Sequence, residues 1–113
     1  MSTQTTTIAK LNDEFRRAIF NQPPGHVVMT QSLRAVFQQE AIIQILTKIR
    51  DYDDFHKGND PYGEHDFGAF DQDEERILWK IDYYDQNLEF GSENPADPTI
   101  TKRVMTIMQP QDW

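Results

Sequence analysis

His65 lies between Glu64 and Asp66, five residues after Asp60, in a stretch reading NDPYGEHDFGAFDQDEERILWKIDYYD from Asn59 to Asp85. An imidazole nitrogen beside carboxylate oxygens suits several divalent ions. A metal held by His65, Asp66 and Asp82 would organise a water for hydrolysis. No HxH, HxxxH or HExxH pattern supports this, however. Strand alternation also sends His65 and Asp66 to opposite faces unless Gly68 marks a distortion. The competing reading is a His–carboxylate hydrogen bond that fixes the entry of a hairpin.

Asp66, Lys80 and Asp82 could serve a carboxylate-and-lysine nuclease, since Lys80 and Asp82 share one strand face. The same residues equally form an ordinary lattice of ion pairs, and the negative field around them repels phosphates. The acidic run Asp71 to Glu75 imitates a calcium loop, but its sixth position is Arg76 where that loop requires glycine. There is no nucleophile elbow, no phosphate-cradling glycine loop and no cysteine. No catalytic residue is assigned, and no cofactor is expected.

Binding is the chemistry that remains. The formal charge of -8 is unevenly spread. Residues 1–50 carry six Lys/Arg and three Asp/Glu, whereas residues 51–113 carry five and sixteen. A surface dominated by carboxylates repels nucleic acid and favours a basic protein surface; solubility alone is the bland alternative. The expected contact set is Asp60, Tyr62, Glu64, His65, Asp66, Lys80, Asp82, Tyr84 and Asp85. Tyr62 and Tyr84 are the aromatics chosen for exposure, because tyrosine joins apolar area to a polar tip.

The elements that must position these residues follow from periodicity. Ile8, Leu11, Phe15 and Ile19 predict an amphipathic helix from about Thr5 to Phe20, with Asp13, Glu14, Arg16 and Arg17 outward. Pro23 and Pro24 end it. His26 to Thr30 reads as a strand, and Gln31 to Val36 as either a turn or a brief helix. Phe37, Ala41, Ile42, Ile45, Leu46, Ile49 and Tyr52 trace a second helix. Asp51, Asp53 and Asp54 sit against its dipole at the end.

Gly58, Pro61 and Gly63 then require a loop. Glu64 to Phe70 predicts a strand, and Asp71 to Glu75 a hairpin loop of about five residues. Arg76 to Asp85 is a strand with Ile77, Trp79, Ile81 and Tyr83 on the buried face. Gly68 suits a bulge or the close approach of Trp79 or another large residue. A short extended piece at Leu88–Phe90 follows, and Thr101 to Met108 reads as a last strand, with a short helix as the alternative. The class expected is α+β, a single domain with two helices on one face of a mainly antiparallel sheet of about four strands, in the order α-β-α-β-β-β. The other sheet face, carrying Lys80, Asp82 and Tyr84, would meet water or a partner.

The motifs NDPYGEHDFGAF and WKIDYYD, with LNDEFR at Leu11 to Arg16 and FGSENPADPTITKRVMTIM from Phe90 to Met108, resemble the bacterial Domain of Unknown Function 3768 family. The start of the second helix at Gln38-Gln39 departs from its pattern. The resemblance implies an origin on plasmids and other mobile elements, and with it a role such as countering host defences, but assigns no catalytic residue. The function expected is a small acidic cytoplasmic interaction protein, non-enzymatic, that binds a basic protein partner. Its sharpest form is an inhibitor of a defence nuclease or nucleic-acid-binding protein. The alternatives are the metal-dependent hydrolase and a homodimeric structural or regulatory subunit. No membrane segment or direct nucleic-acid contact is expected.

Overall fold

The computed structural model describes residues 3–113. Its elements are α1 (Thr3–Arg17), β1 (His26–Met29), α2 (Gln31–Val36), α3 (Gln39–Arg50), β2 (Phe67–Gln72), β3 (Glu75–Tyr84), β4 (Lys102–Met108) and a closing 3-10 turn at Pro110–Asp112. The fold is α+β, with three helices where two were expected, because Gln31–Val36 forms a short helix of its own. Phe37 caps that helix in an extended conformation and is buried. The chain therefore kinks between α2 and α3, and the second long helix starts after Phe37.

The strands form one sheet in the order β1-β4-β3-β2. β1 runs parallel to β4, and the other pairs are antiparallel. Trp79 opposes Ile107 and Ile81 opposes Met105, while Val27 and Met29 of β1 align with Met105 and Ile107. Residues opposite one another share a face, so these side chains make one apolar floor. Phe15, Ile19, Leu33, Phe37, Ile45 and Ile49 close over it from the helical layer. Trp79 is fully buried at the centre, and burial of so large a side chain contributes about 2–3 kcal/mol.

Four features depart most from the sequence expectation, each for a local reason. α1 ends at Arg17 and not Phe20, since Ile19 N donates to Arg16 O at 3.1 Å and Asn21 N to Ala18 O at 2.8 Å, bonds that tighten the last turn. β2 begins at Phe67 and not Glu64, because His65 has φ of 57° and breaks the extended chain. The β2–β3 turn is two residues long and not five. Asp73 and Glu74 both take positive φ, 51° and 70°, as a tight hairpin turn requires. Leu88–Phe90 is not extended. Leu88 has φ of 59° and donates its N–H to Asp85 O at 3.0 Å, so this segment is a turn pinned by a single bridge between Tyr84 and Gly91.

No helix among the described residues is long and apolar enough to cross a membrane.

Candidate functional site

The loop from Tyr52 to Asp66 is held by its own polar side chains. Asn59 Nδ2 donates to Asp54 O at 2.6 Å, and Asn59 Oδ1 accepts from His56 N at 2.9 Å. Asp60 is buried, and its Oδ1 accepts from the backbone N–H groups of Glu64 and His65 at 3.1 and 3.2 Å. This carboxylate, expected among the partner contacts, is occupied inside the loop. It holds His65 in the left-handed conformation that turns the chain into β2.

The His65 ring stacks on Phe55, with centroids 4.1 Å apart and planes 4° from parallel. Its Nδ1 meets Asp13 on α1, at 3.0 and 3.2 Å from the two carboxylate oxygens. Its Nε2 lies 3.9 Å from Asp60 Oδ2. Asp13 is also paired with Arg16. His65, Asp66 and Asp82 are not brought together as a ligand set, and no group of three or more His, Asp or Glu side chains among the described residues is placed to hold a metal. The hydrogen-bonded hairpin entry is the arrangement that forms, with Asp13 as the carboxylate.

Arg16, expected outward, is 2% exposed. Its Nη1 donates to Ile49 O at 3.1 Å and to Tyr52 O at 2.8 Å. These are among the carbonyls at the C-terminal end of α3, and a guanidinium there satisfies orphan acceptors and suits the helix dipole. Arg16 thus offsets the unfavourable Asp51, Asp53 and Asp54, all of which face solvent.

A second network lies one turn back along the same buried stripe of α1, at Asn12. Asn12 donates to Tyr83 OH at 2.8 Å and to Glu64 O at 3.0 Å, and Tyr83 OH donates to Glu64 Oε1 at 2.8 Å. Arg103 donates to Asn12 Oδ1 at 2.7 Å and to Pro95 O at 2.6 Å. Burial pushes the Tyr83 phenol far up, although the Asn12 hydrogen bond opposes this, so it remains a neutral donor. Burial pulls the Arg103 guanidinium downward from its usual value.

A family profile matches residues 29–112, most of the chain. The chain belongs to the family described as Protein of unknown function (DUF3768). No curated protein and no solved structure matches it. The DUF3768 match begins at Met29, so LNDEFR at Leu11 to Arg16 lies outside it. Asn12, Asp13 and Arg16 nevertheless anchor the matched part through Arg103, His65 and the end of α3.

The remaining candidates of this DUF3768 chain divide by position. Lys80, Asp82 and Tyr84 oppose Thr106, Val104 and Lys102, on the sheet face away from the helices, and Lys80 Nζ pairs with Asp82 Oδ2 at 2.9 Å. Lys80 also sits over the Trp113 ring, 5.8 Å from its centroid, while Trp113 meets Phe67 edge-on at 5.4 Å. Tyr62 is 79% exposed, alone on its loop as a large apolar surface. Asp85 ends β3, where its Oδ1 accepts from Asn87 N and Glu89 N.

Asp66 has no cationic partner among the described residues. Burial raises its carboxyl to about 6, and Glu64, Asp60 and Asp82 add to the rise. Asn12, Asp13, Arg16 and Arg103, the residues that organise this region, were missed in the sequence reading. The available signal was helical spacing. Asn12 and Arg16 fall four and eight residues after Ile8, on the buried stripe itself.

Proposed function

We propose that this chain is a small interaction protein rather than an enzyme, and that its Glu64–Asp85 side captures a basic protein partner. The observation that supports this reading is the accumulation of negative charge around Asp66. Burial is the first thing that disfavours its charge, Glu64, Asp60 and Asp82 add repulsion, and the nearby Lys80 is already paired with Asp82. A Lys or Arg from a partner would relieve repulsion that the fold itself leaves uncompensated. Carboxylates arrayed in this way can stand in for phosphates. An inhibitor that fills the basic groove of a nucleic-acid-handling defence protein is the sharpest form of the proposal.

The test is affinity capture from the native host with wild-type protein and with two charge-reversed variants. One carries Asp82→Lys; the other reverses Asp71, Asp73, Glu74 and Glu75 together, all exposed positions. Capture should fall in both variants. It should also fall on raising salt from about 0.1 M to about 1 M, where the screening length shrinks from about 10 Å to about 3 Å. Capture indifferent to both changes would refute the reading.

A further inference from the structure

We infer that the cleft beyond the end of β3, between the turns at 85–91 and 93–100, seats an arginine side chain of a basic partner. The inference rests on the proposed function and names its chemistry at one place. Residues 85–101 read DQNLEFGSENPADPTIT, with four carboxylates and no Lys or Arg. They enclose a cleft of about 490 Å³ lined by Asp85, Gln86, Phe90, Glu93 and Ile100 among others. Phe90 is 71% exposed, and Ile100, which lines the same cleft, is exposed as well. Exposed apolar side chains rimmed by polar groups in a cleft suit the binding of a partner's side chain.

The backbone holds this arrangement firmly. Asp85 N donates to Phe90 O at 2.8 Å, and Ser92 N to Tyr83 O at 3.0 Å. Asp85 Oδ1 accepts from Asn87 N at 3.1 Å and from Glu89 N at 3.0 Å. Gln86 Nε2 reaches across to Thr99 O at 2.8 Å and ties the two walls together. Leu88 takes a left-handed φ of 59° within this turn. Phe90 is therefore presented to solvent on a fixed frame, and little ordering is needed when a partner binds it.

Charge selects the occupant. Glu93 has neither a salt bridge nor a side-chain hydrogen bond among the described residues. An apolar side chain would cover Phe90 but desolvate that carboxylate without compensation, and a phosphate would be repelled. An arginine satisfies both walls. Its planar guanidinium stacks on an aromatic face and forks onto a carboxylate, and its aliphatic stem covers Ile100. The Tyr84–Gly91 bridge places this cleft at the end of the strand that carries Asp82, so one basic segment can engage both places.

The test is a titration of isotopically labelled protein, read by amide NMR shifts, with a capped peptide of alternating Arg and Gly. Parallel peptides carry Lys or citrulline in place of Arg. Saturable shifts are expected at Phe90, Gly91, Glu93 and Ile100, with none from the citrulline peptide. Phe90→Ala and Glu93→Gln, both at exposed positions, should each weaken binding by about fivefold to tenfold. Absence of shifts at these amides, or affinity unchanged in both variants, overturns the cleft. Lys binding as tightly as Arg overturns the arginine assignment. Shifts confined to Asp66, Lys80, Asp82 and Tyr84 overturn the cleft but leave the proposed acidic face standing. Shifts confined to the cleft and lost in Phe90→Ala support the cleft and remove that face.

Discussion

Arg103 on β4 donates through Nε to Asn12 Oδ1 on α1 at 2.7 Å, and both side chains are buried. This bond joins the first helix to the last strand. Asn12 in turn holds Tyr83 and the Glu64 carbonyl, so one amide gathers α1, β3, β4 and the hairpin entry. Replacing it with an apolar residue of similar size strands a buried guanidinium donor and a carbonyl. Asn12→Leu should therefore lose about 2–4 kcal/mol, since an unsatisfied buried polar group costs more than its hydrogen bond contributes. Urea unfolding measures this directly. A loss below about 1 kcal/mol would mean that the network is not structural.

Gly68 faces Trp79 across the β2–β3 pair. A Cβ built on Gly68 would contact Trp79 Nε1 and lie 2.6 Å from Cε2 and 2.8 Å from Cζ2. The indole cannot retreat. It is fully buried, with Tyr52 and Phe55 edge-on at 5.5 and 6.2 Å. Gly68→Ala should destabilise by about 2–3 kcal/mol through overpacking, with a matching fall in thermal midpoint. The double variant Gly68→Ala with Trp79→Phe, which removes the crowded ring edge, should recover part of that loss. Failure to recover any would place the strain elsewhere.

Gly68 against Trp79 was legible in part: a glycine inside a strand pointed to a bulge or to a large neighbour, Trp79 among them, and the strand register selects Trp79. The Ile77–Trp79–Ile81 face was legible from period-two alternation. The turn length was not. Asp73 and Glu74 both adopt positive φ without the Asn or Gly that normally announces such a turn. Arg16 was placed outward because charge was read as exposure, yet its acceptors, Ile49 O and Tyr52 O, lie in the last turn of α3 and just beyond it. His65 does bond a carboxylate, but that carboxylate is Asp13, 52 residues away. Neighbours in sequence gave no hint of it. Of the expected contact set, Lys80, Asp82 and Tyr84 were readable from strand parity, whereas the burial of Asp60 depends on a loop closure that parity does not describe.

The placement of His65 also bears on metal chemistry. Nδ1 is engaged by Asp13, the ring is stacked on Phe55, and the peptide carries an uncommon φ that Asp60 maintains. Pulling the imidazole toward Asp66 or Asp82 would break the Asp13 bond and the Phe55 stack. Zinc, manganese, magnesium and calcium should therefore leave the thermal midpoint within about 1 °C of the metal-free value, since only a ligand that favours the native state raises it. Protein purified without a His tag and treated with a chelator should melt at the same temperature. A midpoint rise with one metal, abolished by His65→Asn, would restore the hydrolase reading.

Asp66 provides a pH signature of the crowded carboxylates. Its folded value near 6 lies above the ordinary 3.8, chiefly through burial and then through Glu64. Between those two values the native state holds a proton that the unfolded chain has released. The stability associated with protonated Asp66 is thus complete below pH about 3.8 and is lost as pH rises through about 6. Asp66→Asn removes this penalty. Its advantage over wild type should be near zero at pH 3.5, grow between pH 4 and 6, and level off at about 1 kcal/mol by pH 7, after allowance for solvent screening at a half-buried site. Urea unfolding at a series of pH values separates this from a uniform effect. An advantage that is flat with pH, or that shrinks as pH rises, would show that Asp66 is not under the repulsion on which the proposed capture of a basic partner rests.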